Sequence, residues 1–419
     1  MNGLSAIIYI DPGTGAMLFS VLMGVVSALF FVLRKAILKL KFILSGGKVK
    51  DDAKEKHPYV IFSDSKRYWN VFKPICDEFE RREIPCEFWT ASPDDPALSE
   101  DYKYVKCLFI GEGNKAFAKL NCMNADICLS TTPGLDVYQW KRSKDTACYV
   151  HTLHEVGEPV MYRMFGLDYY DAVLLNGEFQ EPYIRKIEGL RGLEPKELVV
   201  VGATYMDTMY ERYQKLEKKD KPEKVILAAP TWGVSSILNR FGDAFIQALI
   251  DTGYKIIIRP HPQMATSDPE LLDRLKKKFP ENEKFSWNAD NDNFDVLNEA
   301  DVMISDFSGV VFDYTLIFDK PIVYADTNLD LAPYDAAWLD ETIWRKQVLP
   351  ELGKELQEKD FANMKEFLDD LMENEKYSSG REHVRDVSWQ CRNEAAVRTV
   401  DYLVKKHEEI VAGKEEAHV

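Results

Sequence analysis

Short apolar runs recur along this chain with helix-period segments between them, and that alternation limits the fold more than any other feature. Tyr59-Val60-Ile61-Phe62 is the first run, and others fall at 86–88, 105–110, 127–129, 147–150, 172–175 and 198–201. Helical spacing lies between several of them: Trp69, Phe72, Ile75 and Phe79 mark one face over 67–82, and similar patterns occupy 114–120 and 179–187. A strand that is apolar throughout is covered on both faces. Strands alternating with helices therefore imply a parallel sheet between two helical layers.

The pattern then starts again. Residues 225–229, 255–258, 302–305 and 321–324 read as strands, and 241–250, 269–278 and 310–318 as helices. A mostly helical tail follows over 355–406. Between the two series a charged helical segment, 208–219, runs into Asp220-Lys221-Pro222, and proline ends helices. We place a boundary there, with an α/β half at 57–220 and a second at 221–419. The fold class is α/β, as two doubly wound, Rossmann-like domains with a cleft between them. One wide sheet is the alternative, but 419 residues exceed an ordinary single core.

The first 56 residues are of another kind. No charged residue occurs from Gly13 to Leu33, and Arg34, Lys35, Lys39, Lys41, Lys48 and Lys50 follow. About 20 apolar residues span a bilayer core of roughly 30 Å. Basic residues after the apolar stretch reverse the order of a cleaved signal and place the rest of the chain inside. The expectation is a single-pass helix in the cell membrane with a cytoplasmic body, joined by a basic juxtamembrane segment and a linker. The seven cysteines form no CxxC pair and read as free thiols in a reducing compartment. A net charge of -16 argues against nucleic acid as a partner.

Three strand exits carry the chemistry. Their tips meet at one edge of a parallel sheet, where open α/β sheets bind ligands. After 255–258 comes Arg259-Pro260-His261-Pro262, a loop stiffened by two prolines. Arg259 can fork onto phosphate oxygens, and His261 can be cationic beside a phosphate or donate a proton to one. A turn with a surface salt bridge is the plainer alternative. After 302–304 comes Ser305-Asp306-Phe307-Ser308-Gly309, so Ser308 and Gly309 open a helix, where unpaired N–H groups and the helix dipole favour an anion. Ser305 and Asp306 stand with them as candidate substrate contacts, although Asp306 could also cap that helix, hold the loop or repel an anion. Asp313, inside the helix, could reach a ribose hydroxyl or an Arg. No Walker lysine follows. After 225–229 comes Pro230-Thr231-Trp232, where Thr231 could donate to a phosphate or a base. In the first half, His151 and His154 follow a strand. His154 facing the cleft would make a general base for a hydroxyl nucleophile, with His151 as the alternative. Their spacing with Glu155 is not HExxH, and no metal is expected.

These segments resemble the CDP-glycerol glycerophosphotransferases of teichoic acid assembly. That family carries Ala-Pro-Thr-aromatic, Arg-x-His-Pro and Ser/Thr-Asp-Tyr-Ser-Ser-x-x-Phe-Asp, in that order; here they read Ala229 to Trp232, Arg259 to Pro262 and Ser305 to Asp313. The family's Trp-His-Gly-Thr is Leu153-His154-Glu155-Val156 here, its Gly-Tyr-Pro-Arg-x-Asp is Gly202 to Asp207, and the second Ser of its Ser-Ser is Gly309.

The resemblance implies a GT-B type fold, a CDP-alcohol donor such as CDP-glycerol and a lipid-linked or membrane-proximal glycan or polymer acceptor. CMP would be released, with no bound cofactor. It assigns His261 and Arg259 to the donor phosphates together with Ser308 and Gly309, and His154 to the base. Two other readings remain from sequence: a GT-B glycosyltransferase using a nucleotide sugar, and a non-catalytic, membrane-tethered binding protein on the same fold.

Overall fold

The structure is a computed structural model that describes residues 56–217, 223–290, 292–325, 329–373 and 375–416. The expected membrane helix and the expected boundary at 220/221 lie outside the described residues. Among the described residues no helix is long and apolar enough to cross a membrane.

Two parallel sheets form, not one. The first contains β1 (His57–Ser63), β2 (Cys86–Thr90), β3 (Val105–Phe109), β4 (Ala125–Ser130), β5 (Thr146–Thr152), β6 (Ala172–Leu175) and β7 (Glu197–Val200), in the order β3-β2-β1-β4-β5-β6-β7. The second contains β8 (Val225–Ala228), β9 (Lys255–Ile258), β10 (Phe285–Trp287), β11 (Val302–Ser305), β12 (Ile322–Tyr324) and β13 (Gly353–Glu355), in the order β10-β9-β8-β11-β12-β13. Chain direction across each sheet reverses once, between β1 and β4 and between β8 and β11. Ligands of doubly wound sheets bind outside the carboxyl ends at such a point.

Alternation within strands divides each sheet between two cores. Tyr59 and Ile61 face the helix Trp69–Arg81, with Phe72, Ile75 and Phe79 beneath them; Val60 and Phe62 face the opposite layer with Trp140 and Tyr149. In the second sheet Ile256 and Ile258 point to one layer and Ile257 to the other. Strands β10 and β13 were not legible as apolar runs: each has three residues, and Gly353-Lys354-Glu355 has none that are apolar.

The two halves share one core. Val156, Val160 and Met206 pack in the same cluster as Phe312, Trp344 and Trp389. The charged segment near the boundary is helical over Thr204–Gln214, earlier than its charge pattern implies, because Tyr205, Met206 and Met209 bury there. The tail does not stay with the second half. Its last helix, Ala395–Glu416, returns to the first sheet, where Val400 and Leu403 join Ile61, Ile127 and Val150. Arg82–Asp401 and Lys406–Glu197 ion pairs, both 2.6 Å, hold it there. All seven cysteines are free.

Candidate active site

The exits of β8, β9 and β11 meet at the switch point of the second sheet. Ser305 is fully buried and its Oγ donates to the Ala229 carbonyl at 2.6 Å. Asp306 is equally buried; its carboxylate accepts from the N–H of Thr231 at 3.0 Å and of Ile237 at 3.0 Å. Burial pushes its pKa up to about 6 against those N–H groups. By residue type and position the sequence offers both as substrate contacts. Their polar atoms instead fasten β11 to the loop after β8, so neither is open to a ligand. Of the three roles open to Asp306, holding the loop is the one observed.

The β9 exit does point outward. The Arg259 guanidinium is braced by Asn288 Oδ1 and, at 2.8 Å, by the Asp290 carbonyl, both in the loop after β10. His261 Nδ1 accepts from the N–H of Gln263 at 3.1 Å, which leaves the ring proton on Nε2 in the neutral form. Burial, with the cations Arg67 and Arg259 nearby, pushes its pKa down to about 4 although Glu155 pulls the other way. His261 is thus a neutral N–H donor, not a resident cation.

Ser308 and Gly309 precede the helix Val310–Phe318, as the sequence implied. Asp313 lies on that helix and hydrogen-bonds Tyr205 and Asn293, and no Arg is among these partners. Burial raises its pKa to about 7. Tyr205 also accepts the N–H of Val156 at 3.1 Å, so this hydroxyl joins the exit of β5 to the helix Val310–Phe318.

The first half brings His154 and His151 to the exit of β5 in unequal positions. His151 is fully buried, with Nε2 3.1 Å from the Tyr162 hydroxyl and no partner for Nδ1. His154 is only partly buried. Its Nδ1 lies 2.9 Å from Thr131 Oγ1 and 3.3 Å from the Tyr162 hydroxyl, and its ring packs on Tyr68 at 4.8 Å between centroids. Burial holds its pKa below the usual imidazole value against the pull of Glu155 and Asp64. Of the two, His154 is the one a substrate can reach.

Sequence reasoning missed the group that joins the halves. Arg345 is 4 % exposed. It donates to Glu158 at 2.6 Å, to Glu155 at 3.0 Å and to the Phe307 carbonyl at 2.6 Å. It therefore ties the exit of β5 to the exit of β11. Burial opposes ionisation of Glu155, yet Arg345, His154 and His261 keep its pKa below the usual carboxylate range. A cavity of about 670 Å³ has walls that include Arg67, Lys73, Asp77, Tyr205, Glu211 and Arg212, and none of His154, Glu155, Arg259, His261 or Arg345 lines it. Arg67 adds positive potential at both His154 and His261.

The profile of the CDP-glycerol:poly(glycerophosphate) glycerophosphotransferases matches residues 192–405. The chain belongs to this family. It is a transferase of the CDP-glycerol glycerophosphotransferase class, and the binding-protein reading falls away.

Solved structures agree on the fold. A variant of the wall teichoic acid polymerase TagF with CDPG superposes with a TM-score of 0.54 at 15% identity, over 90% of this chain and 98% of that one. S. aureus MnaA with UDP gives 0.56 at 13% identity, over 85% and 97%. UDP-GlcNAc 2-epimerase from Neisseria meningitidis bound to UDP-GlcNAc gives 0.50 at 14%, over 84% and 100%. At such identities the likeness establishes a GT-B-like fold. No curated protein sequence matches the chain significantly. The family profile begins at 192, so it covers the exits of β8, β9 and β11 in this glycerophosphotransferase and leaves His154 outside.

Proposed function

We propose that this glycerophosphotransferase moves glycerol phosphate, or a related polyol phosphate, from a CDP-alcohol to a lipid-linked or membrane-proximal acceptor and releases CMP. The observation that carries the reading is the convergence of Arg259, His261 and the amino terminus of the helix Val310–Phe318 at one switch point, joined to the exit of β5 through Arg345.

The acceptor hydroxyl attacks the β-phosphorus. A new P–O bond forms, the bond to the CMP oxygen breaks, and the hydroxyl proton passes to His154 Nε2. For that, Nδ1 must carry its own proton and donate it to Thr131 or Tyr162, both within reach. His261 supplies its Nε2–H and Arg259 its guanidinium to phosphate oxygens, with N–H groups at Gly309 and Val310 completing the cradle. Fixed donors of this kind act through charge stabilisation and positioning. Thr231 keeps its hydroxyl for the donor, since only its backbone N–H is taken by Asp306.

Residues 13–33 would hold this body at the inner membrane surface, near an acceptor of that kind. Incubating the chain with CDP-glycerol and a membrane fraction, and measuring CMP, tests the reaction. CMP should appear and should fall sharply with His261→Ala; no CMP from any CDP-alcohol would sink the reading. Alkaline-carbonate washing tests the anchor, which predicts retention in the membrane pellet.

A further inference from the structure

The carboxylate of Glu155 lies against the α-carbon of Gly309. A β-carbon built at 309 would stand 2.3 Å from Glu155 Oε2 and 3.2 Å from its Cδ. Gly309 has φ of -59° and ψ of -23°, which any residue adopts. Glycine is therefore required by space and not by backbone conformation, and the space is taken by an anion from the other half. These two residues coincide with two departures from the family pattern, a Glu where the family has Gly and a Gly where it has Ser.

Glu155 is ionised and held in place. Arg345 Nη2 grips Oε1 at 3.0 Å, and Arg345 is itself fixed by Glu158 and by the Phe307 carbonyl. The side chain is 35% exposed, so it faces the cleft. A negative charge thus stands at the end of the helix that favours anions, among His154, His261 and Arg345.

We propose that Glu155 tunes the affinity of the donor site: its carboxylate limits how tightly the nucleotide's phosphates are held and so speeds release of CMP. This rests on the donor phosphates sitting at that helix terminus. With Glu155 present the phosphate meets a like charge and an Arg345 already partnered. With Glu155 neutralised the like charge is gone, while Arg345 stays paired with Glu158. Glu155 touches the phosphates only through this repulsion and takes no proton.

Calorimetric titration with CMP tests it, on the full chain and on Glu155→Gln, Glu155→Asp, Gly309→Ser, Arg259→Ala and the double variant Glu155→Gly/Gly309→Ser. Glu155→Gln should bind CMP about tenfold more tightly, the scale of one close like charge in a partly wet site, with kcat lowered as release slows. Glu155→Asp should keep the wild-type affinity. Gly309→Ser alone should bind poorly and the double variant should recover. Loss of packing alone would weaken binding or leave it unchanged, which is the opposite sign. If Arg259→Ala weakens CMP while Glu155→Gln does not tighten it, this inference fails and the donor-site reading stands. If neither Arg259→Ala nor Glu155→Gln alters CMP affinity, both fail.

Discussion

His261 Nδ1 accepts a hydrogen bond from the backbone N–H of Gln263 at 3.1 Å, and that contact decides which nitrogen faces the cleft as a donor. With Nδ1 occupied, Nε2 carries the proton. His261→Ala should lower kcat by about 10²–10³-fold, the usual loss for one oriented donor to developing charge. Because its pKa is near 4 in the folded chain, raising pH from 5 to 8 should not remove activity through this residue. A pH–rate profile that falls with an apparent pKa near 6.5 and loses that limb in His261→Ala would show a cationic role instead.

His151 and His154 should separate cleanly by kinetics and stability. His154→Asn should reduce kcat by about 10²–10⁴-fold while leaving CMP affinity near wild type, as expected for a general base. His151→Ala should act chiefly on folding, since a fully buried ring that meets Tyr162 is removed. Steady-state rates beside thermal melts check both. An equal kcat loss at similar stability would reverse the assignment.

Asp306→Ala should destabilise the second half and raise KM for the donor. It strands the buried N–H groups of Thr231 and Ile237, at about 1–3 kcal/mol for each group left unsatisfied. Urea denaturation gives the stability loss. A variant of wild-type stability would mean that this carboxylate does not hold the loop.

Asp313 gives a pH signature with a definite sign. Its folded pKa is raised to about 7 by burial, above the unfolded value of 3.8. Between those values the folded state holds a proton that the unfolded state has lost, so this group's contribution declines as pH rises through the window. Asp313→Asn has no such ionisation. Its melting temperature relative to wild type should therefore climb between pH 5 and pH 8. A difference independent of pH would place the carboxyl in contact with bulk water.

Arg345→Met should cost about 3–5 kcal/mol, because Glu158 is left buried and charged without its partner. It should also weaken donor binding, since the Phe307 carbonyl loses its anchor. A thermal melt and a CMP titration read the two effects. A variant as stable as wild type would mean that Glu158 is neutral in the folded chain.

Much of the site was legible at the level of loops. Ile256-Ile257-Ile258 can only be a buried strand, so Arg259 and His261 had to emerge at a sheet edge, and they do. Small residues before an apolar helical run put Ser308 and Gly309 at a helix start for the same local reason. Side-chain direction was not legible. Ser305 and Asp306 have the residue types of ligand contacts, yet both turn inward, because two exits at a switch point must be fastened to each other. Glu155 was weighed only as a metal ligand beside two histidines, since its partner Arg345 is 190 residues away along the chain.

What the sequence determined by itself was periodic and local: two series of covered strands, the turns after them, and the residue types those turns present. Periodicity records which face of an element is apolar, and that suffices for layers and edges. The tertiary structure alone decided which polar groups face the cleft and which face each other. That choice depends on contacts between distant segments, such as Tyr205 with Asp313 and Glu155 with Gly309. Such pairs meet only when two separately wound sheets close on one core.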